Sequence, residues 1–169
     1  MENRPMKTAV RVALAAFACL FTARLADASP GKEAPGAPAL FVQAFISTAG
    51  AYGETWQLTL APNGDVFLQV FYGASPSGDV MAHFTLSERG IGAIREACET
   101  QQFFDLPTDL APLERLGHKP SLQIEIHLAG RHHKASLYDP AALRTHAAAN
   151  RFLALWNAVF ETLPLRPSW

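Results

Sequence analysis

Ala61-Pro62-Asn63-Gly64-Asp65 separates two runs of alternating apolar residues, and one pairing register puts both runs to use. Pro62 suits the first corner of a type I turn, Asn63 the second, and Gly64 the left-handed position that closes a three-residue loop. With Ala61 opposite Asp65, Leu60 faces Val66, Leu58 faces Leu68 and Trp56 faces Val70, so one side of the hairpin is wholly apolar. The reverse side carries Thr59 opposite Phe67, Gln57 opposite Gln69 and Thr55 opposite Phe71. A two-residue loop would set Leu58 against Gln69, because a slip of one residue turns every side chain to the other face. The chain is thereby committed to a sheet with one continuous apolar face.

Other segments extend that sheet. Leu40 to Ser47 reads as a strand apolar on both sides, and Asp79 to Leu86 as another after a loop at Gly73 to Gly78. Ser87 can cap a helix from Glu88 to about Gln102, with Ile91, Ile94 and Cys98 on one stripe. Gly90 and Gly92 weaken it by about 1 kcal/mol each relative to Ala, so it needs tertiary support. Phe103-Phe104-Asp105-Leu106-Pro107 ends the helix, and Thr108 to Pro120 reads as a loop with one helical turn near Leu113.

A second hairpin turns about Ala129-Gly130, through a loop of two or four residues. Leu122, Ile124 and Ile126 then face Leu137, Ala135 and His133, while Gln123/Ser136, Glu125/Lys134 and His127/His132 share the other face. His133 is expected in a satisfied buried polar contact. Asp139-Pro140 is a cap followed by proline at the first helical position, opening a helix to Leu163. Its expected buried stripe is Leu143, Ala147, Leu153, Trp156, Phe160 and Leu163. The expected fold class is α+β: an antiparallel sheet of about five or six strands packed with two main helices. A β-sandwich fits less well, because the Pro140-led helix is too long and too regularly patterned.

The first 28 residues have the three parts of a secretory signal peptide. Arg4, Lys7 and Arg11 form a basic region, Val12 to Ala23 an apolar one, and Ala26-Asp27-Ala28 a cleavage site after Ala28. The apolar run is too short to cross a bilayer, which takes about 20 residues. Residues 29–39 read as a Pro/Ala-rich tether, 40–164 as a single domain and 165–169 as a C-terminal tail. The expected location is periplasmic or secreted, with no membrane attachment after signal cleavage. Beyond Ala28 there are 10 basic and 13 acidic residues, a net charge of −3, with no basic stripe for nucleic acid. All 6 histidines lie in this part, so full protonation would invert the charge, although surface histidines without a sensing role are the simpler account. Cys98 alone remains after cleavage, which excludes an internal disulfide, and its place on the helical stripe suits a buried, inert thiol.

No signature of catalysis stands out. Ser75, Ser77 and Asp79 invite a hydrolase reading, yet Gly73-Ala74-Ser75-Pro76-Ser77-Gly78 is not a strand-to-helix elbow, and no histidine is set beside either hydroxyl. No cofactor is expected. His127 and His132, opposite each other with Glu125 on the same side, are the candidate metal ligands, although structural zinc usually takes four ligands and no cysteine joins them. Phe41, Phe45, Phe67 and Phe71 are the candidate binding residues. If both helices cover the Trp56/Leu58/Leu60 face, these four rings form an apolar patch where solvent would be, the mark of an interface. Strands apolar on both sides are commonly buried on both, which makes cover by Thr108 to Pro120, the N-terminal segment or the second helix the first alternative.

A strand ending in Phe84-Thr85-Leu86-Ser87, a helix closing with Gln102-Phe103-Phe104-Asp105-Leu106-Pro107, the hairpin Leu122 to Tyr138 and a Pro140-led helix form an ordered set. Over Phe84 to Leu163 this order resembles the emfourin-type bacterial inhibitors of thermolysin-like metallopeptidases and related small bacterial domains of unknown function. The chain differs in its export signal, its extra N-terminal strand and its longer segment between Pro107 and Leu122. The resemblance implies a non-catalytic, protein-binding domain and carries over no functional residue. The expected function is therefore an exported binding or inhibitor-like module whose partner is another protein. The competing class is a small extracytoplasmic hydrolase or metal-dependent enzyme assembled from scattered histidines and acids.

Overall fold

The computed structural model describes residues 39–48, 53–72, 79–114 and 117–164. The chain separates into two units, Met1–Glu33 and Ala34–Trp169, and every described residue belongs to the second. The signal peptide, most of the tether, the Gly73 to Gly78 loop with Ser75 and Ser77, and the C-terminal tail lie outside the described residues.

Seven strands form one sheet: β1 (Leu40–Ser47), β2 (Glu54–Leu60), β3 (Asp65–Tyr72), β4 (Val80–Thr85), β5 (Asp109–Leu110), β6 (Ser121–Leu128) and β7 (Arg131–Tyr138). Their spatial order is β4-β3-β2-β1-β6-β7-β5. The first strand in sequence is therefore the middle one, paired with β2 on one side and β6 on the other. All neighbours are antiparallel except β5, which runs parallel to β7. The sheet is thus mixed and wider than the expected antiparallel five or six strands. The added strand comes from the segment taken for a loop: Asp109 and Leu110 align with Ser136 and Leu137. No helical turn forms at Leu113, which is fully exposed.

Both hairpins adopt the register that their apolar alternation requires. Trp56, Leu58 and Leu60 face Val70, Leu68 and Val66, and Gly64 closes the turn at φ +86°. Asn63 Oδ1 accepts the Asp65 N–H at 3.1 Å, which fixes that turn from within. In the second hairpin Leu128 pairs with Arg131, leaving the two-residue loop Ala129-Gly130 with both residues at positive φ.

Two helices cover one face of the sheet. α1 (Glu88–Thr100) begins where the Ser87 hydroxyl accepts the Gly90 N–H at 3.2 Å, and it buries Ile91, Ile94 and Cys98. α2 (Ala147–Glu161) starts at His146, seven residues later than the Asp139-Pro140 signal suggested. Asp139, at φ +49°, opens a run of tight turns only: its Oδ1 accepts the Ala142 N–H at 3.3 Å, and Leu143 and His146 donate to the carbonyls of Pro140 and Leu143 before α2 begins. The buried stripe of α2 is Ala149, Phe152, Leu155, Trp156, Val159 and Phe160, so of the expected stripe only Trp156 and Phe160 are buried within the helix. Arg151 links the two helices by donating to the carbonyls of Gln101 and Gln102, each at 2.7 Å. Those carbonyls follow the C-terminus of α1, and that of Gln102 also accepts the Asp105 N–H at 3.1 Å.

The core is the layer between the helices and the Leu40/Val42/Ala44/Ile46 side of β1, continued across its neighbours. His133 faces this layer, with its ring against Phe103 at 5.1 Å. The expected polar partner is missing: its Nε2 is buried without a hydrogen bond among the described residues, as is Trp156 Nε1. Phe103 supplies an aromatic contact in its place.

Candidate functional site on the uncovered sheet face

Because both helices pack on one side, no described element covers the other side of β1 to β4, β6 and β7. Strand pairing arranges that side in rows. One row runs Lys134, Glu125, Gln43, Thr59, Phe67, His83, and the next runs Ser136, Gln123, Phe45, Gln57, Gln69, Met81. Phe41 stands beside His127 and Phe71 beside Thr55.

All four candidate phenylalanines share this face, and each is partly buried. They do not form the continuous apolar patch expected from the sequence. Phe41 and Phe45 lie on β1, Phe67 and Phe71 on β3, and the intervening β2 presents Thr55, Gln57 and Thr59. Adjacent strands are about 4.8 Å apart, so roughly 10 Å separates the two aromatic pairs. Thr59, between them, is only 3% exposed. The face is therefore a lattice of rings separated by amides and hydroxyls. His83 extends it, stacked on Phe67 with ring centres 4.4 Å apart and planes 4° from parallel. Sequence reasoning did not select His83, although the period-two spacing from Met81 to Thr85 places it on this side.

Beside Phe41 sits a compact polar cluster. His127 and His132 are direct cross-strand partners, with ring centres 4.2 Å apart. His127 Nε2 lies 3.2 Å and His132 Nε2 3.0 Å from the same oxygen, Glu125 Oε1. Lys134 Nζ stands 3.9 Å from the other carboxylate oxygen. Partial burial raises the pKa of Glu125, but hydrogen bonds from both imidazoles and the charge of Lys134 outweigh it and hold the carboxyl below its ordinary value. The edge of Phe41 meets the His127 ring at 5.3 Å and 83°, which fixes that ring laterally.

Cys98 lies in the opposite layer, fully buried, and Asp79 is exposed at the start of β4. The arrangement offers flat aromatic and amide contacts together with one imidazole-carboxylate cluster. Ser136, in the next row of the same face, donates to Thr108 O at 3.2 Å and lies 3.2 Å from Asp109 Oδ1. No helix among the described residues is long and apolar enough to cross a membrane. No protein-family model matches the chain, and no curated protein matches it.

Proposed function

We propose that the protein is an exported, non-catalytic binding module that engages another protein through the uncovered sheet face. The observation that carries the proposal is the placement of both helices on one side, which leaves Phe41, Phe45, Phe67 and Phe71 on the other. Rings interleaved with Gln and Thr suit a protein partner, because non-obligate interfaces combine aromatic anchors with hydrogen-bonding groups. Export rests on the tripartite pattern of residues 1–28, and an inhibitor-like mode on the element order from Phe84 to Leu163.

Affinity capture from the exported fraction, comparing the native protein with the F67S/F71S double variant, tests the reading. A protein recovered by the native bait alone should bind the purified native domain and not the variant. Because both rings are only partly buried, the variant should keep a cooperative thermal transition. Equal recovery by both baits, recovery by neither, or loss of the transition would overturn the reading.

A further inference from the structure

We propose that Glu125, His127 and His132 bind one divalent first-row transition-metal ion of the zinc class. Their three ligand atoms lie within 4.8 Å of one another. Zinc bonds of about 2.0–2.1 Å in tetrahedral geometry separate ligands by roughly 3.3 Å. The imidazole nitrogens already stand 3.2 and 3.0 Å from one carboxylate oxygen, so small side-chain rotations bring all three onto an ion.

The backbone maintains this convergence. His127 pairs directly with His132 across the β6–β7 ladder, and Glu125 pairs with Lys134 one position further along the same face. Ligands on paired strands are held more closely than ligands on a loop. Phe41 limits the swing of the His127 ring, while Lys134 stands 3.9 Å from the second carboxylate oxygen. Both histidine side chains are about half exposed, at 49% and 53%, while that of Glu125 is 22% exposed, so an ion can enter from solvent.

The donor set selects the metal. Two imidazoles and one carboxylate suit zinc, copper or nickel, whereas magnesium and calcium require shells of oxygen. Three protein ligands leave a fourth position for water or an external donor. Binding replaces the protons that otherwise link the imidazoles to Glu125, so the same atoms serve either arrangement.

Zinc chloride titrated into purified protein carrying no polyhistidine tag, followed by histidine-ring NMR and calorimetry, tests the site. The ring signals of His127 and His132 should shift and saturate at one ion per chain. Those of His83, His118, His133 and His146 should stay in place, and magnesium should move none. H132Q and E125Q, with unchanged circular dichroism, should each weaken binding roughly ten-fold or more. K134A should tighten it by removing a nearby like charge. Unmoved His127 and His132 signals at stoichiometric zinc would overturn the proposal and leave the cluster as an ion-pair network. Equal zinc affinity in the native protein, H132Q and E125Q would overturn it as well.

Discussion

Cys98 shows how completely position can silence a reactive group. Burial, with a smaller contribution from the neighbouring Glu99 charge, pushes its thiol up to about 12. The thiolate is the nucleophile, so almost none is present near neutrality. Iodoacetamide at pH 8 should leave Cys98 of the native protein unlabelled and modify it readily in denaturant, as read by peptide mass. The same spacing that places Ile91 and Ile94 on the buried stripe places Cys98 there, so this residue was legible in the sequence. His127 and His132 were equally legible, because a one-residue slip would turn one strand's apolar set outward and the turn at Ala129-Gly130 sets the remaining choice of register. His133 was half legible. Its inward direction followed from alternation, but its contact with Phe103 depends on a residue from beyond α1 that no local pattern connects to it.

Among the elements, the β6–β7 turn carries a correctable strain. Ala129 at φ +52° and Gly130 at φ +76° form a turn in which both residues are left-handed. Glycine tolerates that conformation, whereas alanine pays about 1 kcal/mol or more for it. Asn-Gly is the preferred pair for such a hairpin. Ala129→Asn should therefore stabilise the protein by about 0.5–1 kcal/mol, seen as a higher denaturation midpoint with an unchanged slope. An unchanged or lower midpoint would show that the loop is not under strain. The start of α2 was misread for an instructive reason. Asp139 and Pro140 do initiate a turn, but the Asp139 N–H donates to Pro120 O at 2.9 Å and ties the segment to a distant strand entry. The helix then begins at His146, whose Nδ1 accepts the Ala149 N–H at 3.4 Å. β5 was missed because two residues are too short to show alternation, and its pairing is with β7, past the intervening β6.

At the level of the whole molecule, local pairing was readable and global order was not. Hydrophobic alternation specifies which residues of adjoining strands face each other, as it did for both hairpins. It carries no information on which hairpin edge meets which, and the union of β1 with β6 joins segments separated by β2 to β5 and α1. The candidate face inherits that gap. The side on which each phenylalanine lies followed from alternation, whereas their separation into two lines by the polar face of β2 required the assembled order.

That central seam has a consequence for how the polypeptide matures. Until Ser121–Leu128 arrives, β1 presents a full row of unsatisfied amides and carbonyls, the kind of bare margin through which copies cross-associate. A fragment ending at Thr100 should thus fail to fold alone and form soluble aggregates by light scattering. Adding the separately produced remainder, residues 101–169, should restore a cooperative transition. A monomeric, cooperatively melting fragment would instead mean that the four-strand meander is self-sufficient. Residues 101–169 are in this sense the lock on those before them, and late synthesis of β6 keeps the molecule unfinished for as long as it is being made.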